Sequence, residues 1–389
     1  MNASNPVRVG VVLVNWRGWR DTLLALETLF AGDYVHFDAV VVDNNSGDDS
    51  VEHILAWAQG REVAVLPSLL GEKVRVRAEQ EAIAHTLLDE SELAAPPAPS
   101  RLTVIQAKCN GGFAAGNNLA LSYLLNQGTY DYFWLLNNDA YPAPDALNHL
   151  IARAEDDPDI GMVGSTLIYA GRPETIQALG GAEYREASGR GLHLGAESPV
   201  AQLRDIDAAD IERRMAYIVG ASMLVSAQFL QHVGLMEERY FLYFEEIDWA
   251  ERGKPEFKLG YAKLSLVYHK AGGSTQAASR RSELAAYYIA RNRLVFTRRY
   301  YPKYVSAVWR ATLLDALRYT AKAHWSEARG LRVQSGRLCA ILMRSNSREY
   351  SCVGGQSRTD RRCPERHQRF RCRSMPDAVG PLQIERPYC

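Results

Sequence analysis

The 389-residue chain contains neither a long hydrophobic run nor a recognisable export leader. No uninterrupted apolar stretch approaches the roughly 18 to 20 residues that a membrane-spanning helix needs, so the sequence predicts no span. Met1–Pro6 lacks the basic start and the apolar centre of a secretory signal. We therefore expect a cytoplasmic protein.

An excess of charge of one sign is also missing. The chain has 45 basic and 45 acidic residues, so no global field recruits nucleic acid or an acidic polymer. Cysteine is scarce, since only Cys109 of the six cysteines precedes the last sixth of the chain. No pair has the Cys-x-x-Cys spacing of a structural zinc site, and a cytosolic setting argues against disulfides. The cysteines are expected to be free thiols.

Short apolar strands alternate with amphipathic helices through the first 140 residues or so. Val7–Val14 and Ala39–Val42 are nearly continuous apolar runs, typical of strands buried on both faces. The helix Asp21–Phe30 lies between them, with Asp21 as its expected N-cap, and completes a βαβ unit. The further predicted elements are the helices Ser50–Ala58 and Ala114–Asn126 and the strands Val63–Leu66, Leu102–Ile105 and Tyr132–Leu136.

Two segments interrupt this alternation. Gly71–Ser100 is interpreted as an insertion on the domain surface, with a charged helix over Val76–Leu93 and the linker Ala94–Pro99. After Pro158 the strands become irregular, and a hairpin is predicted around Ala178–Glu186. This pattern is typical of a mixed half that faces the acceptor.

The C-terminal part changes character twice. Glu283–His324 has the pattern of two amphipathic helices divided at Tyr301-Pro302, because proline disfavours helix at the residue before it. The helices form either a cap with a solvated basic face or a dock on an anionic membrane surface. Their basic and aromatic residues are Arg291, Arg293, Arg298, Arg299, Lys303, Arg310, Tyr287, Tyr288, Phe296, Tyr300, Tyr301, Tyr304 and Trp309. Beyond about Arg329 the composition predicts a disordered tail or a frame change in the coding sequence. The expected domains are 1–275, 276–328 and 329–389.

Polar side chains follow the predicted parallel strands, at the edge where open α/β sheets bind ligands. Asn15 follows the first strand and Asp43 the second. Asp43 either accepts the imide N–H of uracil or thymine, or forms a turn. Asn137, Asn138 and Asp139 follow the strand at Tyr132. One carboxylate together with substrate phosphates is enough to hold Mg²⁺, and the alternative is an ordinary polar turn.

A glycine-rich turn, Asn110–Asn118, opens a predicted helix. Its glycines allow close backbone approach, and its free amides would face an anion. The segment is not Gly-x-Gly-x-x-Gly, and no Gly-Lys-Ser/Thr follows, which disfavours dinucleotide-binding and P-loop sites.

An aromatic run leads into clustered carboxylates at a predicted helix start. Glu245, Glu246 and Asp248 either meet the helix dipole, or one of them acts as a base, since clustering raises at least one pKa. His269 ends a later strand and is either structural or a metal ligand.

In this order the segments resemble the family 2 glycosyltransferases of GT-A fold, most closely the bacterial rhamnosyltransferase-like branch. The motifs that carry the resemblance are Val11–Trp16, Val41–Ser46, Asn110–Asn118, Leu135–Ala140, Gly220–Leu224, Glu245–Asp248 and His269. The resemblance implies an α/β fold, the Rossmann-like mixed sheet of nucleotide-diphospho-sugar transferases, with a C-terminal helical extension.

The resemblance also implies a role for each matching position. Asp139 and His269 match metal ligands, and Asn137 replaces the first Asp of the Asp-x-Asp motif, so Mg²⁺ or Mn²⁺ is the implied cofactor. Glu246 matches the catalytic base, usually Asp in this branch, with Asp248 as the second candidate. The implied donor-binding residues are Asn15, Asp43, Asn110, Gly112, Asn117 and Asn138.

The implied activity is inverting transfer of a hexosyl group, with dTDP-rhamnose as the expected donor. The implied acceptor is a hydroxyl of a cell-surface polysaccharide or lipid-linked glycan, reached from the cytoplasmic face of the inner membrane, and nucleic acid is not an expected partner. One alternative is a sugar-nucleotide nucleotidyltransferase, although Asn15–Trp19 is not the glycine-rich basic loop expected of it. The other alternative is a non-catalytic homologue that acts as a scaffold.

Overall fold

The computed structural model describes residues 6–93, 100–128, 130–270 and 278–321. The expected linker Ala94–Pro99 and the expected tail beyond about Arg329 lie outside these residues. No helix in the described ranges is long and apolar enough to cross a bilayer.

A ten-stranded mixed sheet forms the centre of the fold, and a separate three-stranded antiparallel sheet carries β9 to β11. The strands are β1 (Val9–Asn15), β2 (Phe37–Asp43), β3 (His85–Asp89), β4 (Leu102–Gln106), β5 (Tyr132–Leu136), β6 (Ala140–Pro142), β7 (Ile160–Tyr169), β8 (Arg172–Leu179), β9 (Gly181–Arg185), β10 (Arg190–His193), β11 (Tyr217–Ile218), β12 (Ser222–Ser226) and β13 (Lys258–His269). The large sheet has the order β3-β4-β2-β1-β5-β12-β7-β13-β6, and β8 pairs with β7. The small sheet has the order β10-β9-β11.

The α-helices of the described residues connect and cover these strands. They are α1 (Trp19–Phe30), α2 (Ser50–Ala58), α3 (Gly112–Gln127), α4 (Ala146–Glu155), α5 (Ala208–Arg214), α6 (Ala227–Val233), α7 (Glu245–Gly253), α8 (Ala278–Tyr300) and α9 (Val305–Ala321). Strands β1 to β5 run parallel, and the apolar run of β1 is buried on both faces, because the neighbouring residues Val11 and Val12 have no exposed surface.

The N-terminal predictions are confirmed in type and order. The predicted strands Val7–Val14, Ala39–Val42, Leu102–Ile105 and Tyr132–Leu136 are β1, β2, β4 and β5, and the three predicted helices are α1, α2 and α3. Asp21 is not an N-cap, because α1 begins two residues earlier, after Gly18. The Asp21 carboxylate instead accepts hydrogen bonds from Tyr141 and Lys270.

The segment before β4 differs from the prediction. Val63–Leu66 forms no strand, and Val63 and Val65 are 62% and 84% exposed. Val76–Leu93 is not a helix, because it contains β3, which pairs with the edge of β4. The hydrogen bonds that this segment forms with the open edge of β4 stabilise a strand, although its apolar residues have the spacing of a helix. Gly71–Ser100 is therefore partly a sheet element rather than only a surface insertion.

The predicted hairpin around Ala178–Glu186 is wrong. Strand β8 pairs with β7, whereas β9 pairs with β10 and β11. Gly180 lies between β8 and β9 with φ of +73°, a left-handed conformation that glycine adopts without a steric penalty. The chain therefore passes from one sheet to the other at Gly180.

The two predicted C-terminal helices are α8 and α9, and they separate at Tyr301-Pro302 as expected. Part of their basic and aromatic surface faces inward. Arg293 is buried and pairs with Asp315 at 3.1 Å, and Phe296 is fully buried. These positions fit a packed helical cap, and exposed Lys303 and Arg310 leave a solvated basic surface on it, so both expected alternatives stay open.

Candidate active site

Asp139 and His269 meet because of the register between β6 and β13. Ala140 pairs with His269 in this antiparallel ladder, and the Lys270 N–H donates to the Asp139 carbonyl at 3.0 Å. The Asp139 Oδ1 atom consequently lies 3.1 Å from His269 Nε2. Burial raises the pKa of Asp139, but the hydrogen bond and charge of His269 outweigh it, so the pKa of Asp139 is lowered. Asp139 is thus an anion at neutral pH.

Two amide side chains complete this polar cluster. His269 Nδ1 lies 2.9 Å from Gln177 Oε1, which orients the ring and leaves Nε2 facing Asp139. The Asn137 amide lies 3.5 Å from His269 Nε2. The expected metal-binding residues Asn137, Asp139 and His269 therefore come together.

The donor set fits a divalent cation that keeps further open positions. Among the described residues, no group of three His, Cys, Asp or Glu side chains could hold a metal. One carboxylate and one imidazole face each other here, and the Asn137 side chain, which lies beside His269, carries an amide oxygen that could become a third ligand if the amide turned. Such a set suits Mn²⁺ or Mg²⁺ bound jointly with substrate phosphates.

Glu246 lines the same cleft as Asn137 and His269, and the cleft has a volume of about 370 Å³. A β-carbon on Gly220 would lie 2.4 Å from Glu246 Oε1, so the carboxyl group uses the space that this glycine leaves. The Asn137 N–H donates to the Ala221 carbonyl at 3.0 Å, which joins the ends of β5 and β12. The end of β5, the turn before β12 and the end of β13 therefore line this cleft together with Glu246.

The environment of Glu246 suits a base. Burial raises the pKa of Glu246 to about 7, although backbone N–H groups of Glu246 and Gly220 oppose the shift. Burial, and then the charge of Glu246, raises the pKa of Glu245 well above its usual value. Glu245 Oε2 has no hydrogen-bond partner in the described part of the chain. The two neighbouring carboxyl groups therefore share a buried site that disfavours their charged forms.

Asp248, the second candidate base, lies in the protein interior rather than at the cleft. It is fully buried and does not line the cleft. Its carboxylate accepts hydrogen bonds from Tyr240 Oη, Tyr300 Oη, Arg252 Nε and Arg299 Nη1, at 2.9 to 3.0 Å. The Asp248 carboxylate is therefore fully occupied by internal hydrogen bonds and does not open to the cleft. Of the two candidate bases, only Glu246 is placed in the cleft.

The predicted nucleotide-binding residues at the ends of β1 and β2 form one network. Asn15 Nδ2 donates to Asp43 Oδ1 at 2.8 Å, and the Ser46 N–H donates to Asp43 Oδ2 at 3.0 Å. Asn138 Nδ2 donates to Thr22 Oγ1 at 3.0 Å and lies 3.5 Å from Asn15 Oδ1. Asn15, Asp43 and Asn138 are therefore together, directly beside Asn137 and Asp139.

The glycine-rich turn uses its polar groups internally, contrary to the expected free amides. The Gly112 N–H donates to Asn110 Oδ1 at 2.9 Å, and the Phe113 N–H donates to the Phe241 carbonyl at 2.8 Å. Asn117 Nδ2 donates to the Phe113 carbonyl at 2.9 Å. Gly112 has φ of +87°, and a β-carbon there would lie 2.0 Å from the Phe241 carbonyl oxygen. Glycine is thus needed here to pack against the chain rather than to approach a phosphate.

Several cleft residues were not predicted. Gly220 lies in a motif that supports the resemblance, but its role requires the position of Glu246. Gln177 is on β8, and no sequence signal joins it to His269. The remaining unpredicted lining residues include His193, Tyr184, Tyr217 and Ile289.

The family model described as Glycosyl transferase family 2 matches residues 81–181, which contain β3 to β7 and the Asn137–Asp139 turn. Comparison with curated proteins gives no significant match. The mixed sheet with its covering helices and the C-terminal α8 and α9 confirms the expected α/β fold class with a helical extension.

Three solved structures illustrate the structural similarity. Mannosyltransferase PcManGT from Pyrobaculum calidifontis, in complex with GDP-Man and Mn²⁺, is 14% identical over 88% of this chain and 81% of its own, with a TM-score of 0.47. GalNAc-T7 with UDP, GalNAc and Mn²⁺ is 13% identical over 68% of this chain and 44% of its own, with a TM-score of 0.45. S. aureus TarS 1-349 is 12% identical over 85% of this chain and 92% of its own, with a TM-score of 0.42.

Proposed function

We propose that this chain, whose residues 81–181 match the model of glycosyltransferase family 2, is an inverting enzyme that moves a sugar from a nucleoside diphosphate to an acceptor hydroxyl. The observation that carries the proposal is one cleft that is lined by Glu246, Asn137 and His269, with Asp139 in contact with His269. This reaction needs a general base for the acceptor hydroxyl and a positive charge for the leaving diphosphate. Glu246 and the candidate cation site in the same cleft could supply them.

The protein groups have separate tasks in one displacement. Glu246 takes the proton of the acceptor hydroxyl as its oxygen bonds to the anomeric carbon. The bond from that carbon to the diphosphate oxygen breaks on the opposite face, so the configuration inverts. Asp139, His269 and Asn137 would hold a divalent cation, which when bound supplies positive charge to the departing diphosphate. Gln177 keeps the His269 ring in its orientation.

The proposal extends to the identity of the sugar donor and the class of acceptor. The resemblance of the motifs supports dTDP-rhamnose as the first hexosyl donor to test, with the network of Asn15, Asp43 and Asn138 near its nucleotide. A polysaccharide or lipid-linked glycan of the cell envelope is the acceptor class that we propose.

We further propose peripheral contact with the cytoplasmic face of a membrane. Exposed Leu313, Leu314 and Leu317 on α9, next to exposed Arg310, support this contact.

The test is release of nucleoside diphosphate from a panel of nucleotide sugars, with Mn²⁺ or Mg²⁺ and glycan acceptors. Glu246→Gln should lower kcat by about 10²- to 10⁴-fold, the usual worth of a general base, while calorimetry shows unchanged donor binding. Glu256→Gln, at an exposed position after α7, is the matched control and should turn over normally. Release of pyrophosphate from a nucleoside triphosphate and a sugar 1-phosphate, with no nucleoside diphosphate released from nucleotide sugars, would indicate a nucleotidyltransferase instead. Equal turnover by Glu246→Gln and the parent would overturn the assignment of the base.

A further inference from the structure

The loop that precedes α7 has a strained backbone. The Leu242 N–H donates to the Tyr240 carbonyl at 2.8 Å, which closes a γ-turn around Phe241 with φ of +64°. Tyr243 and Phe244 follow with φ of +67° and +78°. Bulky aromatic residues rarely adopt positive φ, so the surrounding structure must hold them there.

Asn292 of α8 contacts this loop from one side. Its side chain is fully buried, and Nδ2 lies 2.8 Å from each of the carbonyl oxygens of Tyr240, Leu242 and Tyr243. The two amide hydrogens are thus shared among three acceptors. Asn292 Oδ1 is itself fixed, because it accepts a hydrogen bond from Arg291 Nη1 at 2.6 Å.

The N-terminus of α3 contacts the loop from the other side. The Phe241 carbonyl, which Asn292 does not contact, accepts from the Phe113 N–H at 2.8 Å. The Phe241 ring stacks on Tyr288 of α8, with ring centroids 4.8 Å apart. Every carbonyl from Tyr240 to Tyr243 therefore has a donor from within the fold.

This loop leads directly to the candidate base. Phe244 is the N-cap residue of α7, and Glu246 is the second residue of that helix. Leu242, Tyr243 and Phe244 line the cleft together with Glu246. A change in the backbone of the loop would consequently move the start of α7 and the Glu246 carboxyl.

We propose that Asn292 is a positioning residue, which holds the strained loop in the one conformation that aims Glu246 at the acceptor hydroxyl. The inference rests on the proposed transferase function, and it makes α8 a part of the catalytic machinery rather than an appendage. The chemistry favours Asn at this position, because three carbonyls require a compact side chain that donates two hydrogens.

The test compares Asn292→Asp with Thr312→Val in the full chain. Asp has the shape of Asn but turns an acceptor toward the carbonyls, whereas Thr312 is a buried hydroxyl that donates to its own helix, at Val308. We expect Asn292→Asp to lower kcat by about 10²-fold, as a small misplacement of a reacting group does, with the donor KM unchanged. Thr312→Val should keep the parent kcat. A kcat for Asn292→Asp equal to that of Thr312→Val would overturn the proposal.

Hydrogen exchange provides a readout that needs no substrate. Amides of residues 241–248 should exchange faster in Asn292→Asp than in Thr312→Val, while those of β1 stay unchanged. Unchanged exchange in 241–248 would refute the positioning role even if the parent showed no transferase activity. Should Asn292→Asp fail to fold, Asn292→Ser, which keeps one donor on a shorter arm, is measured by both assays against the same criteria.

Discussion

The Glu246 carboxyl group occupies the space that a side chain at position 220 would fill, so Gly220 should not tolerate a larger residue. A β-carbon at Gly220 would approach Glu246 Oε1 to 2.4 Å and Cγ to 3.0 Å. We expect Gly220→Ala to push the carboxyl group out of place and lower kcat by about 10²- to 10⁴-fold. Thermal stability should change little, because the contacted group is a side-chain end that can rotate. Gly171→Ala, where the added carbon meets open space, is the control. A normal kcat for Gly220→Ala would contradict this geometry.

The raised pKa of Glu246 predicts the acid side of the pH profile. A base must be deprotonated to act, so kcat/KM should fall as the pH drops through the pKa of Glu246, near 7, and level off above it. The measurement is kcat/KM between about pH 5 and about pH 9 at saturating metal. An acid limb at the usual pKa of an exposed glutamate, about 4.3, would show that burial does not control this group.

Individual site residues could be predicted where local chemistry was enough. Asp139 and His269 were both identified from strand ends, and the register of β6 and β13 brings them to 3.1 Å. The separation of Glu246 from Asp248 could not be predicted. Both belong to one acidic motif, and only the packing of Arg299 and Tyr300 from α8 shows that Asp248 is an internal ion-pair partner.

Among the elements, α7 carries Glu246 and Asp248, and we expect neutralising Glu246 to lower activity and neutralising Asp248 to lower stability. Asp248→Asn leaves Arg252 and Arg299 facing a neutral group in a buried position. A fully buried pair broken in this way costs about 3 to 5 kcal/mol, and these arginines are 21% and 37% exposed, so we expect about 2 to 3 kcal/mol. Chemical denaturation measures the loss.

Two comparisons make that result specific. Asp205→Asn, where the carboxylate is 74% exposed beside Arg204, should leave the free energy of unfolding nearly unchanged. Glu246→Gln should lose activity without losing stability. Comparable stability of Asp248→Asn and the parent protein would contradict the ion-pair role.

Elements with strong local patterns were predictable, and those defined by distant partners were not. The buried apolar runs of β1 and β5 and the amphipathic pattern of α2 indicate their structures directly. Strand β3 has a helix-like pattern with partly exposed residues, and only the free edge of β4 makes it a strand. Likewise β8 and β9 are adjacent in sequence but belong to different sheets.

At the scale of the whole molecule, α8 is tied to the large body of the fold by buried groups. Asn292 and Phe296 are fully buried, and Arg299 pairs with Asp248. We therefore expect one cooperative thermal transition rather than separate melting of the C-terminal helices, with circular dichroism and tryptophan fluorescence coinciding. For this measurement Trp309 of α9 and Trp325 are replaced by Phe, so that the remaining tryptophans, among them the buried Trp57, Trp134 and Trp249, report the body. Early loss of helical signal with unchanged fluorescence would show that α8 and α9 unfold independently.

The pairing of β6 with β13 has a consequence for the newborn polypeptide. Asn137 and His269 are 132 positions apart in the chain, so a ribosome must synthesise almost the entire body before the cluster can close. Long-range closure of this kind is slow compared with helix formation. In a nascent chain the network of Asn15, Asp43 and Asn138 can therefore form well before His269 is available to complete the cluster with Asp139.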